Sequence, residues 1–120
     1  MSLFIVATPI GNLEDLTFRA VKTLSEVNFI ICEDTRTSGI LLNHYNIKNE
    51  TVSFNARMEE KKISYVIERL KSGENCALIS DAGTPGISDP GVRLVNAAIE
   101  EEIEIVSIPG ANAAIAALSI

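Results

Sequence analysis

Tryptophan is missing from this 120-residue sequence, histidine occurs once and cysteine only twice. His44 stands alone, and Cys32 and Cys76 each sit in an apolar run without ligand spacing. No Cys/His cluster results, so a metal site is not expected. The two cysteines read as buried, reduced thiols rather than a disulfide. His44 reads as a surface residue near the end of a short helix. Basic residues are also scarce. Ten Lys and Arg against sixteen Asp and Glu give a formal charge of −6, which argues against autonomous nucleic-acid binding through clustered cations. No apolar stretch is long enough to span a bilayer. The first residues, Met1 to Ala7, lack the basic segment of a signal peptide and soon reach Pro9. The chain therefore reads as cytoplasmic.

What is present suits one folded domain. The hydrophobic share is 47% and the charged share 22%, a balance that excludes a disordered chain. The length allows one core and not two. Five β-like runs are visible, at Leu3–Ala7, Phe29–Cys32, Thr51–Phe54, Cys76–Ser80 and Glu104–Ile108. Several are apolar without alternation, as strands covered on both faces are. Helical patterns separate them. Leu16, Ala20, Leu24 and Val27 recur at helical spacing, as do Ile63, Val66, Ile67 and Leu70, with Gly73 placed to end that helix. Asp89-Pro90 is a helix start, with Leu94, Val95, Ala98 and Ile99 as the face to be buried. The alternation predicts an α/β fold: a five-stranded, mainly parallel sheet with helices on both faces. The Ala-rich run from Asn112 to Ile120 stops without a terminator. The natural protein is expected to continue, since a helix cut there would be marginal.

In such a sheet, ligands bind beyond the carboxyl ends of the strands. Four turn-rich segments fall there: Thr8–Asn12, Glu33–Arg36, Ser80–Gly91 and Pro109–Asn112. Ser80–Gly91 holds three glycines and two prolines, which fix an unusual path and let a ligand approach main-chain amides. A tight turn leading to a capped helix accounts for Asp89, Pro90 and Gly91, but not for Asp81, Gly83, Thr84 and Gly86. Glu33-Asp34-Thr35-Arg36 allows two readings. The carboxylates either hold a ribose, a cation or a hydroxyl, or form a local Asp–Arg pair with Thr35 or Thr37 opening the next helix. The charged runs Glu59–Lys62 and Glu100–Glu102 read as solvated helix faces. No G-x-G-x-x-G follows the first strand and no G-x-x-x-x-G-K-[ST] occurs, which removes the dinucleotide loop and the P-loop. A response-regulator receiver, similar in length, would need acidic residues where Thr8-Pro9 stands and a Lys where Pro109-Gly110 stands.

Ala7-Thr8-Pro9-Ile10-Gly11-Asn12-Leu13, Glu33-Asp34-Thr35-Arg36 and Ser80 through Gly91 occur in the order and spacing of the tetrapyrrole methylase superfamily, the class III S-adenosylmethionine-dependent methyltransferases. The chain resembles that family over essentially its whole length. Corrin-pathway members usually carry Gly-Pro-Gly after the first strand, so Thr8–Asn12 resembles the branch that methylates ribosomal RNA. The resemblance implies that residues 1–120 are the N-terminal domain of a two-domain enzyme, usually a homodimer, whose C-terminal domain lies outside this chain. It implies S-adenosylmethionine bound between the domains, no metal, and small-subunit ribosomal RNA as partner, methylated at a cytidine 2′-hydroxyl. By matching position, Pro9 and Ile10 would border the cofactor. Gly83, Thr84 and Ile87 would hold it, with Asp81 supporting their loop, and Gly110, Asn112 and Ala113 would contact it from the last strand. Two departures stand out. Pro109-Gly110-Ala111-Asn112-Ala113 replaces the usual Pro-Gly-Pro-Ser-Ala and is compatible with cofactor binding. Ser53-Phe54-Asn55-Ala56-Arg57 replaces Tyr-His-Glu-His-Asn and bears on the substrate.

Methyl transfer from a sulfonium is an in-line displacement in which the donor is already activated, so the protein mainly positions the reactants. A ribose hydroxyl must still lose its proton. Asp34, with Glu33 second, is the expected base or hydroxyl-orienting group, and Arg36 is placed to hold a neighbouring phosphate. The rival readings are a methyltransferase acting on a tetrapyrrole carbon and a non-catalytic cofactor-binding or dimerisation module.

Overall fold

The computed structural model describes residues 1–54, 60–87 and 91–120. Among these described residues five strands, β1 (Ser2–Val6), β2 (Phe29–Cys32), β3 (Thr51–Ser53), β4 (Cys76–Leu78) and β5 (Glu104–Ile108), form one sheet in the order β3-β2-β4-β1-β5. Every strand pair is parallel. The helices among the described residues follow the strands in turn: α1 (Phe18–Glu26), α2 (Thr35–His44), α3 (Glu60–Lys71), α4 (Gly91–Glu100) and α5 (Ala113–Leu118).

The unbroken apolar runs follow from burial on both faces. Because side chains alternate along a strand, Leu3, Ile5, Phe29, Ile31, Cys76 and Leu78 enter one core with α3 and α4. Their neighbours Val6, Ile30, Cys32, Ala77 and Ile79 enter the other with α1 and α2. Cys32 and Cys76 thus belong to opposite cores and are both free, a separation no disulfide spans. Burial pushes the Cys76 thiol up to about 12.

Local signals explain the helix ends. Thr17 caps α1 by accepting from the Ala20 amide at 3.0 Å. Leu16 and Val27 lie just outside that helix yet are buried, so the apolar stripe overruns it. α3 ends in a Schellman motif, with Gly73 N–H donating to Leu70 O at 3.0 Å and Glu74 N–H to Arg69 O at 3.2 Å. Gly73 takes the left-handed conformation at φ 104°. α2 and α4 end the same way without glycine, around Asn46 at φ 55° and Glu102 at φ 57°.

Three expectations shift. β1, β3 and β4 stop one or two residues earlier than the apolar runs suggest, although the ladder goes on through Ala7 N–H to Ile108 O, Phe54 N–H to Cys32 O and Ile79 N–H to Ile31 O. Ile99 does not join the buried face of α4. It is 58% exposed, while Leu94 and Ala98 are buried and Val95 is partly so. Glu102 is more than a solvated helix residue, since it forms the turn that ends α4. The Asp89-Pro90 helix start lies outside the described residues. Among the described residues no helix is long and apolar enough to cross a membrane.

Candidate functional site

Strand order decides where a crevice opens. From β1 the chain crosses through α1 towards β2 on one face, and from β4 it crosses through α4 towards β5 on the other. β1 and β4 are neighbours, so adjacent loops leave in opposite directions at their carboxyl ends. Open α/β sheets bind ligands at such a switch point.

The two loops are sewn together there. Thr8 and Gly83 form an isolated antiparallel bridge, N–H to O at 2.9 and 3.0 Å. The buried Thr8 hydroxyl reaches Ser80 O at 3.2 Å and Gly83 O at 3.4 Å. Ser80, also buried, turns its hydroxyl to Ala82 O at 3.2 Å. Gly83 needs its freedom, because the bridge holds it at φ 77°, where a β-carbon is strained. Gly110 meets a different demand. A β-carbon there would lie 2.9 Å from Ala7 Cβ, so the end of β5 can close on β1 only without a side chain.

Among the described residues, two hollows flank this junction. The wider one, about 410 Å³ and open, lies between Glu14–Thr17 and the Gly110–Asn112 turn, with Ile10 on its wall. The narrower one, about 130 Å³, lies between α2 and the loops after β1 and β4, with Pro9, Ser38 and Asp81 in its lining. Asp34 begins α2. Its carboxylate accepts from the Arg36 amide at 2.9 Å and from Arg36 Nε and Nη2 at 3.2 and 3.0 Å. The Arg36 side chain, followed by its backbone amide, holds the Asp34 carboxyl below the usual carboxylate range, and the pairing raises Arg36. The local Asp–Arg pair therefore forms, at a helix start that is also on the rim.

The residues expected to act do not all meet in one place. Ile10, Gly110 and Asn112 line the wide hollow, and Pro9 and Asp81 line the narrow one. Asn112 also caps α5, accepting from the Ile115 amide at 3.1 Å. Gly83 is buried in the junction, Thr84 and Ile87 are exposed on its outer side, and Ala113 is exposed on α5. The loop after β4 takes its ties from the Thr8 and Ser80 hydroxyls, while Asp81 is exposed at the rim. Glu33 is half-buried, and its carbonyl accepts from the Ser53 hydroxyl at 3.3 Å. Asn55, Ala56 and Arg57, part of the departure near β3, lie outside the described residues.

The profile of the tetrapyrrole (corrin/porphyrin) methylases matches residues 2–120. The chain belongs to that family. Two solved methylases share the fold. A cobalt precorrin-4 methyltransferase superposes with a TM-score of 0.76 at 18% identity, covering 98% of this chain and 49% of its own. Uroporphyrin-III-C-methyltransferase from Thermus thermophilus gives 0.73 at 23% identity, covering 98% and 50%. In sequence the chain is 53% identical over 117 residues to "Ribosomal RNA small subunit methyltransferase I" of Streptococcus pyogenes serotype M6, covering 98% of the chain and 41% of the relative. The protein of the same name from Haemophilus influenzae is 54% identical over 116 residues, again covering 41% of that relative. The chain thus spans about two-fifths of the length of the curated relatives it matches.

Proposed function

We propose that this chain is the N-terminal, cofactor-binding domain of an S-adenosylmethionine-dependent methyltransferase that modifies small-subunit ribosomal RNA at a cytidine 2′-hydroxyl. The observation that carries the reading is the similarity, above 50% across almost the whole chain, to proteins named as small-subunit ribosomal RNA methyltransferases; the cytidine 2′-hydroxyl is the finer part of the proposal. The geometry supports a cofactor here. The Gly110–Asn112 turn and Ile10 line the wide hollow, and the Thr8–Gly83 bridge holds the loop after β1 in place beside it. When bound, the cofactor supplies a methyl group already activated on a sulfonium.

The chain's own residues then position the acceptor. With its carboxyl held low by Arg36, Asp34 is a weak base, and it serves better by accepting a hydrogen bond from the ribose hydroxyl than by taking its proton outright. Glu33 is the second candidate. Arg36, 90% exposed, commits Nε and Nη2 to Asp34 and has Nη1 for a phosphate. A net charge of −6 means the domain alone holds RNA weakly. The working enzyme is a two-domain homodimer of the cytoplasm, where ribosomal subunits are found.

The test is to incubate full-length protein with labelled S-adenosylmethionine and undermethylated small subunits and to map the labelled nucleotide. Label on a ribose of the subunit RNA supports the reading. Transfer to a tetrapyrrole carbon without subunits, or cofactor binding with no transfer, overturns it.

A further inference from the structure

One buried hydroxyl stands where the two loops of the rim meet, and its bonds reach further than the bridge requires. Thr8 is 1% exposed. Its amide and carbonyl already bridge to Gly83 at 2.9 and 3.0 Å, so main chain alone keeps the loops after β1 and β4 joined. Valine, with the same shape, would suit a buried, extended position at least as well, because it has no polar group to desolvate. The hydroxyl has one hydrogen to donate. Its nearer acceptor is Ser80 O at 3.2 Å, with Gly83 O at 3.4 Å. Gly83 O also receives the Thr8 amide. Ser80 is buried, and its carbonyl has no other donor among the described residues. The peptide from Ser80 to Asp81 is therefore oriented by the Thr8 side chain.

We propose that Thr8 is a positioning residue for the methyl donor: its hydroxyl sets the Ser80–Asp81 and Gly83–Thr84 peptides so that their N–H groups face out from the junction. This deepens the proposed function and rests on the cofactor named there. A trans peptide turns its C=O and N–H to opposite sides. With Ser80 O and Gly83 O drawn in to Thr8, the Asp81 and Thr84 amides point the other way. Both residues are exposed, and neither amide meets an acceptor among the described residues. Two donors fixed on the open side of one loop suit the oxygen acceptors of a ribose or a carboxylate, both of which S-adenosylmethionine carries. A ligand that meets donors already oriented loses no affinity to ordering them.

The same tie reaches the loop after β1. A β-carbon on Gly83 would lie 3.6 Å from Ile10 Cγ2, so Ile10 rests beside the bridge. Ile10 lines the wide hollow and Asp81 the narrow one. Without the hydroxyl, Ser80 O becomes a buried acceptor lacking a donor, and turning its peptide is the easiest relief. That turn carries the Asp81 amide away, while the main-chain bridge and the sheet stay in place.

The experiment uses full-length protein and the variants Thr8→Val and Thr8→Ser, with S-adenosylmethionine and undermethylated small subunits. By calorimetry, Thr8→Val is expected to bind S-adenosylmethionine roughly two- to tenfold more weakly. Its KM for the donor should rise by a similar factor, with the KM for subunits unmoved and kcat at saturating donor close to wild type. Thr8→Ser, which keeps the hydroxyl, should restore donor affinity. Residue-resolved hydrogen exchange on the wild type adds a measurement that needs no variant: the Asp81 and Thr84 amides should slow when the donor saturates. Unchanged donor affinity in Thr8→Val overturns the proposal, whatever its melting temperature. So does a loss that Thr8→Ser fails to restore, or one that raises both KM values together. Should Thr8→Val not fold, the exchange result decides, and amides indifferent to the donor overturn the proposal. Wild-type protein that binds no S-adenosylmethionine sinks the functional reading first. Donor binding that is equal in wild type and Thr8→Val sinks the positioning role alone.

Discussion

Adding one methyl group at Gly110 tests how the end of β5 closes on β1, on the rim proposed to face the cofactor. A β-carbon built there lies 2.9 Å from Ala7 Cβ and 3.5 Å from Ala7 O. Carbon atoms prefer about 3.5–4.0 Å, so the first contact is short by roughly half an ångström or more. Ala7 has no flexible end to swing aside. It is 2% exposed, and its amide donates to Ile108 O at 3.1 Å. The backbone of β1 or β5 must move instead, and overpacking of this kind costs about 1–3 kcal/mol. For a domain of this size that is on the order of 4–12 °C in melting temperature. Gly110→Ala should show this loss in thermal or urea unfolding, together with weaker S-adenosylmethionine binding by calorimetry. Ala7→Gly by itself should cost about 1–2 kcal/mol through lost burial and added chain entropy. The double variant removes the clash, so its cost should fall short of the sum of the single costs by at least about 1 kcal/mol. Additivity within about 0.5 kcal/mol, or a Gly110→Ala protein that melts like wild type, would refute the close-approach reasoning.

Three further outcomes follow from the same structure. Glu102→Gly should stabilise the protein by up to about 1 kcal/mol, seen as a melting shift of a few degrees, because it relieves a left-handed residue at the end of α4. Asp34→Ala should destabilise α2 at neutral pH by removing its cap and the Arg36 pair. The Asp34 carboxyl is held low, so its contribution is present above the ordinary carboxylate value and fades as pH falls through the lowered one. The melting difference between wild type and variant should therefore shrink at strongly acidic pH, and a difference that grows there would contradict the pairing. Cys76, pushed up to about 12 by burial, should resist thiol reagents at pH 8 until the protein unfolds. The unfolded chain loses the thiol proton first, so this group should lower stability as pH climbs from about 9 towards 12. Rapid labelling of native protein would count against a sealed core.

Much of the fold was legible because its signals are local. The uninterrupted runs Phe29–Cys32 and Cys76–Leu78 announce strands buried on both sides, and the structure places their alternate side chains in two cores. Gly73 carries a helix-end signal that needs no distant partner, whereas the caps Thr17 and Asn112 emerged only with the structure. Ile99 misled because apolar spacing along α4 cannot say how wide a stripe the sheet covers. Of the site, the loops were legible as loops. The small hydroxyl residues that tie or line them were not, since a Ser or Thr in a turn or a first helical turn looks alike whether bonded, buried or free.

By itself, the order of apolar, turn and capping residues determined an alternating α/β chain with its glycine- and proline-rich loops on one rim, because each of those signals acts within a few residues. Tertiary structure alone decided that β4 lies between β1 and β2. That arrangement brings Thr8 to Gly83, and the pairing of β5 with β1 sets Ala7 against Gly110. These are contacts across more than seventy residues. They depend on strand order, which no local pattern encodes.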